Sequence, residues 1–324
     1  MDFELLHRLT TAFGPSGYEA AVRELIRKEV APLVDEVEVT PLGTLIAHKK
    51  GSGPRLLLAA HMDEIGVIVS YVEDKGFLRF APLGGIFPLY AIAQRVRFAN
   101  GVEGVVAVER RKDESKPPAL SEMYIDIGAP SREASPIRVG EPAVFVGEPV
   151  RVGERIIGKT MDDRIGCYLL IDFLRRLRTS RFDLYVAFTS QEETTLSGAR
   201  TAAFGIEPDM AVAVDVTLTG DTPKALPMAV ELGKGPAIKV KDRGMVAHPR
   251  VRDAMVEAAE REGLPYQMEI LTFGTTDAAA MQLAHAGVPS GCLSIPCRHV
   301  HSPGEMVDVN DVERAVALLL ALVA

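Results

Sequence analysis

Two histidines and a scattered set of carboxylates give this chain the means to hold a pair of divalent metal ions. His61 and Asp63, Asp162 and Asp163, Glu192 and Glu193, Asp215, and His301 stand in five places spread over most of its length. Imidazole nitrogens and carboxylate oxygens suit Zn²⁺, with Co²⁺ or Mn²⁺ as alternatives, and exclude soft thiolate binding. Three carboxylates, taken as Asp162, Glu193 and Asp215, set three negative charges against the four positive charges of two ions. A bridging hydroxide balances the remainder. Ions about 3.5–4 Å apart acidify such a water and polarise the carbonyl it attacks, so the reaction class is metal-assisted amide hydrolysis. The adjacent Glu192 and Glu193 then divide the work. Neighbouring side chains in an extended turn point in different directions, so one can bind metal while the other moves a proton from water to the leaving amine.

Residues so far apart must be assembled by the fold, and their flanks say how. RLLLAA precedes His61, DLYVAFTS precedes the glutamate pair, MAVAVD ends on Asp215 and GCLSIP precedes His301. Each therefore lies at or just beyond the C-terminal end of an expected strand, and Asp162 opens an expected helix. In open α/β sheets, ligands collect in the crevice outside those strand ends. Taken singly, Asp162 could cap its helix and Asp215 could start a turn; together, the residues fit one rim better than coincidence.

Strand-like and helix-like segments alternate before residue 66 and after 158, which predicts an α/β fold: a mixed sheet with helices on both faces. The helical segments include a pair over 3–30 broken at Gly14-Pro15-Ser16-Gly17, DRIGCYLLIDFLRRLR, TDAAAMQLAHAG and the closing NDVERAVALLLALV. Between them, VIVSYV, RVRFA, GVVAVE, AVFVG and PVRV are short and separated by Gly, Pro and charged turns, the pattern of a small all-β module. Residues 1–66 and 158–324 are thus expected to form the catalytic domain and 67–157 a β-rich insertion. The charged, Pro-containing stretch 109–122 is expected to be a mobile surface loop.

The formal net charge of −8 argues against nucleic-acid or anionic-membrane partners. MDFELLHRL lacks the basic-then-apolar profile of a signal peptide, and no apolar run reaches membrane-spanning length. Three cysteines fit a reducing compartment better than a disulfide framework. A cytoplasmic enzyme is expected.

AAHMDEIG (59–66), GKTMDDRIG (158–166), FTSQEE (188–193), AVDV (213–216), FGTTDA (273–278) and RHVHSP (298–303) occur in an order that resembles the M42 metallo-aminopeptidases, of the zinc-exopeptidase-like fold. The resemblance covers essentially the whole chain. It implies that His61 and Asp215 bind one metal, Glu193 and His301 the other, and that Asp162 bridges them. Glu192 would be the general base and Asp63 would orient the His61 ring. Asp163 is left to helix capping, support of the site or catalysis, and His299 is taken as a non-ligand. Thr276 and Asp277 in the GTTDA loop would contact substrate, and Gln94 would reach a neighbouring subunit's site. The insertion would be a PDZ-like dimerisation module, and the chain a homo-oligomer between dimer and dodecamer that releases N-terminal residues from short peptides. The chain departs from the family pattern where Thr194 and Thr195 follow the glutamate pair and GTTDA replaces GTDA. The alternatives are a dinuclear metallo-carboxypeptidase or a deacylase of N-acyl amino acids. A glycosidase with paired carboxylates would leave His61, Asp215 and His301 without work.

Overall fold

The computed structural model describes residues 1–113 and 115–324. Their strands form an eleven-stranded mixed sheet and a closed six-stranded barrel.

Four parallel strands make the middle of the sheet, in the order Asp183–Thr189, Arg55–His61, Met210–Thr217 and Ser290–Arg298. Antiparallel strands flank them: Leu45–Lys49 and Glu36–Val39 on one side, Glu305–Asp308, Arg155–Gly158 and Val150–Val152 on the other. Parallel strands covered on both faces read as unbroken apolar runs rather than alternating ones. LLLAA and MAVAV do so for that reason. Leu56, Leu58 and Ala60 pack into one core with the helices Phe3–Thr11, Ala20–Val30, Met161–Arg176, Pro249–Arg261 and Val309–Val323. Leu57 and Ala59 point the other way, against Ser197–Ile206 and Asp277–Met281. Capping fixes where helices begin. Asp2 accepts the Leu5 amide at 3.0 Å, and Asp308 accepts that of Asn310 at 2.7 Å.

The barrel runs Gly66–Val72, Leu78–Leu83, Met123–Asp126, Glu103–Val108, Arg95–Phe98 and Pro142–Phe145, and closes where the first of these pairs with the last. Val96 and Phe98 point into its apolar core while Arg95 stays exposed, the alternation expected of small barrels.

Some elements differ from the sequence reading. Val150–Val152 turns back through Gly153, at φ 61°, to pair with Arg155–Gly158 in the large sheet; three alternating residues carry no sign of which sheet they will join. The helix expected in TDAAAMQLAHAG stops at Met281. The parallel pair Ala237–Lys241 and Gln267–Ile270 was not anticipated. Residues 109–119 hold no helix or strand among the described residues, and Leu120–Glu122 forms a single 3₁₀ turn; Glu114, within the expected loop, lies outside the described residues. No helix among those described is long and apolar enough to cross a membrane.

Candidate metal centre

His61 ends the central strand Arg55–His61, where its main chain is held from two sides. Its amide donates to Asp163 Oδ2 at 3.2 Å, and Cys167 Sγ donates to its carbonyl at 3.1 Å. Its ring Nδ1 lies 3.1 Å from the Asp63 carbonyl oxygen and 3.6 Å from the Asp63 carboxylate. Nε2 is thereby aimed at Asp162 Oδ1, 2.9 Å away, with Asp215 Oδ1 at 3.9 Å. The buried Asp63 carboxylate takes a further load. It accepts the amides of Glu192 at 3.0 Å and Glu193 at 3.1 Å, locking the glutamate pair to the histidine segment.

The glutamates sit on a helical turn, Glu192–Thr195, rather than in an extended one, entered through Gln191 at φ 57°. They still diverge. Glu193 Oε1 lies 3.3 Å from His301 Nε2, while Glu192 Oε2 lies 3.9 Å from His61 Nε2. Asp162 stands between the two imidazoles, its Oδ2 3.3 Å from His301 Nε2. Two groups of possible metal ligands result: His61, Asp162 and Asp215, and Asp162, Glu193 and His301, each with its ligand atoms within 4.8 Å of one another. Asp162 belongs to both, and Glu192 to neither.

Asp163 faces away from this rim. Its carboxylate accepts the Gly166 amide at 3.1 Å as well as that of His61, capping the helix and bracing the strand end together. A Cβ at Gly166 would come within 2.4 Å of that carboxylate, so the position has room only for glycine. Glu305 was missed by the sequence reading. It is buried and accepts the amides of Asp162 at 3.0 Å and His301 at 2.8 Å, one from each ligand loop. Its signal was faint: an acid four residues after His301, in a turn where acids are common.

The electrostatics expose a shortage of positive charge. Burial pushes Glu192 and Asp215 well above the usual carboxylate range, the charge of Asp162 adding to the effect on Asp215. Burial, reinforced by Asp162, lifts Glu305 to about 8. Burial opposes a charge on Asp162 too, but hydrogen bonds from His301 and His61 outweigh it and hold that carboxyl well below its ordinary value. Burial would discharge the imidazoles; instead Glu193 and Asp162 drive His301 up to about 12, and the neighbouring Asp162 and Asp63 carboxylates raise His61 strongly. Protons on these rings supply cationic charge that a cluster of buried acids demands. Glu193 Oε1 is buried without a hydrogen-bond donor. A set of oxygens and imidazole nitrogens, short of cations and with an unsatisfied carboxylate oxygen, fits divalent ions displacing those protons.

The centre lies in a cavity of ≈ 800 Å³ that His299 and Thr276 also line. His299 is in neither ligand group. Asp277 is buried and receives a 2.5 Å hydrogen bond from Thr189; burial raises its carboxyl to about 6. Gln94 is half-buried beside the barrel strand Arg95–Phe98, its carbonyl accepting the Val106 amide at 2.9 Å. Neither Asp277 nor Gln94 is among the described residues that line the cavity.

The profile of the M42 glutamyl aminopeptidases matches residues 43–318. A lysyl aminopeptidase of Pyrococcus furiosus is 37% identical over 99% of this chain and 96% of its own. The solved aminopeptidase of the archaeon Desulfurococcus kamchatkensis is 40% identical, with a TM-score of 0.94 over 99% of this chain and 93% of that one. The Pyrococcus horikoshii TET1 peptidase, which can assemble into a tetrahedron or a large octahedral shell, is 31% identical, with a TM-score of 0.89 over 99% and 98%. Identity of this extent over nearly full length leaves one conclusion: the chain belongs to the M42 glutamyl aminopeptidase family and is a hydrolase acting on peptide bonds.

Proposed function

We propose that the protein releases N-terminal amino acids from short peptides at a centre of two divalent ions, Zn²⁺ foremost. The observation that carries this is the pair of ligand groups sharing Asp162, with one further acid, Glu192, left beside them. His61 and Asp215 would hold one ion, Glu193 and His301 the other, and Asp162 both. The ions would polarise the scissile carbonyl and acidify the attacking water.

The chain's own groups have distinct tasks. Glu192 serves as general base, taking a proton and delivering it to the leaving amine. Burial that lifts its proton affinity suits it to hold that proton between the two transfers. Asp63 positions both partners of the reaction: its carbonyl fixes the His61 ring and its carboxylate fixes the Glu192 main chain. Thr276, in the cavity wall, and Asp277, behind it, would bound the substrate loop.

Residues 1–66 and 158–324 would act as the catalytic domain and the β-rich insertion 67–157 as a PDZ-like assembly domain, through which Gln94 reaches a neighbouring copy. Leu89 and Ile92, exposed beside the barrel, support an interface there. Shell formation by the TET1 relative supports an oligomer between dimer and dodecamer. Three free, buried cysteines suit the cytoplasm.

The test is hydrolysis of aminoacyl p-nitroanilides beside N-acetylated controls, before and after chelation and with Zn²⁺, Co²⁺ or Mn²⁺ restored. Cleavage that needs the free amine, stops with chelator and returns with metal is expected. Cleavage of N-acylated substrates alone would favour a deacylase.

A further inference from the structure

Charge is the first thing a side-chain pocket can offer, and the wall of this cavity has already spent what it holds. Outside the imidazoles, its cations among the described residues are Lys239 and Arg298. Lys239 is fully buried and its Nζ is held by Glu269, which faces it across the strand pair and also accepts Thr217 Oγ1 at 2.7 Å. Arg298 gives Asp221 two hydrogen bonds, of 3.1 and 2.6 Å. The acids that line the cavity are those of the metal centre: Asp162, Glu192, Glu193 and Asp215.

Apart from His299, the remaining wall is uncharged, with threonines such as Thr219, Thr222 and Thr275 set among apolar side chains. Leu226 and Phe273, on separate loops, are 59% and 39% exposed, and Leu271 joins them. Thr217 stands two residues beyond Asp215 on one strand, and so on the same face. The neutralised Lys239–Glu269–Thr217 cluster therefore adjoins the metal centre.

We infer that this wall receives the side chain of the peptide's N-terminal residue and selects a bulky, uncharged apolar one, of the leucine, methionine or phenylalanine class. The inference rests on the aminopeptidase reading and names its substrate. An acidic side chain entering here would shed hydration and find no unpaired cation; a basic one would find no unclaimed acid. An apolar one covers exposed carbon at no such loss. The preference departs from what the names of the lysyl and glutamyl relatives suggest.

The experiment uses the full-length, metal-loaded protein and p-nitroanilides of Leu, Met, Phe, Lys, Arg and Glu. kcat/KM for the best apolar substrate is expected to exceed that for Glu, Lys and Arg by about tenfold or more, the range a pocket mismatch produces. A charged substrate cleaved best would overturn the inference while leaving the aminopeptidase reading intact. Failure to cleave any substrate with a free amine would overturn both. Glu269→Gln unmasks the Lys239 charge and should raise the Glu-to-Leu ratio of kcat/KM about tenfold. Should that variant misfold, Leu271→Lys places a new cation on the half-exposed wall with the same expected direction. An unchanged ratio in folded Leu271→Lys protein would remove this wall from the side-chain site.

Discussion

The rim of the large sheet and the barrel solve opposite problems. Among the described residues, every buried polar or charged side chain lies before residue 65 or after 158; the six barrel strands bury none. The barrel is held by apolar packing around Val96, Phe98, Val106 and Ile125, with its charges outside. The sheet buries apolar side chains too, but the rim of its strands carries His61, Asp215 and the glutamate turn, where burial raises carboxylates and the neighbouring acids, against burial, load the imidazoles with protons. A fold tolerates such a cluster when its core supplies the stability and a ligand answers the charge. The barrel carries no such cluster; beside it Leu89 and Val139 stand exposed, while Phe87 and Tyr90 line the cavity of the metal centre.

Mutations at the two regions should therefore fail in different ways. The largest effect is expected from Glu192→Gln: turnover falls about 10²–10⁴-fold, the usual worth of a general base, with metal content by elemental analysis unchanged. Near-normal rates would take Glu192 out of the chemistry. Phe98→Ala in the barrel should cost about 3–5 kcal/mol of stability by leaving a cavity, without altering metal content per folded molecule; a loss of metal there would break the separation of the two regions. Chelation should act on the sheet alone. At free metal a thousandfold above Kd, its removal withdraws about 4 kcal/mol of linked stability, seen as a lower Tm. His301→Ala should reproduce part of that shift and reduce bound metal, and full stoichiometry in the variant would exclude His301 as a ligand.

The smallest effect concerns the loop tie between Asp221 and Arg298. Burial opposes the Asp221 charge, but hydrogen bonds from Arg298 and the Leu232 amide help overcome it and hold the carboxyl well below the usual range. A depressed carboxyl contributes stability above its unfolded value and loses it as pH falls toward the folded one. Asp221→Asn should thus cost less than about 1 kcal/mol near neutrality for a pair still in contact with solvent, seen as a slightly lower Tm. The gap from the parent should close in acid; a gap that is constant with pH would mean the pair contributes through shape rather than charge.

Much of the sheet was legible because its signals are local. Apolar runs leading up to His61, Asp215 and His301 marked them as residues at or just beyond strand ends; Asp215 lies two residues inside Met210–Thr217 and His301 three beyond Ser290–Arg298, and the structure brings them together with Asp162 and Glu193. Other features depended on partners far away in the chain. Glu305 acquires its importance from two amides, one of them at Asp162, 143 positions earlier. Val150–Val152 could have joined either sheet until Arg155–Gly158 paired with Glu305–Asp308. Asp63 was expected to orient His61, yet the nearer contact to the ring is its carbonyl, while its carboxylate secures the glutamate turn.

Residue type and periodicity alone determined that this chain builds an α/β sheet with a β-rich insertion and carries a donor set for divalent ions, because apolar patterning and ligand chemistry are written in single residues and short spacings. Only the tertiary structure decided that Asp162 stands between both imidazoles, that Glu192 is left beside the two ligand groups, and that Lys239 is already neutralised by Glu269. Those outcomes rest on distances and burial across strands, and electrostatics acts through space, where sequence separation has no meaning.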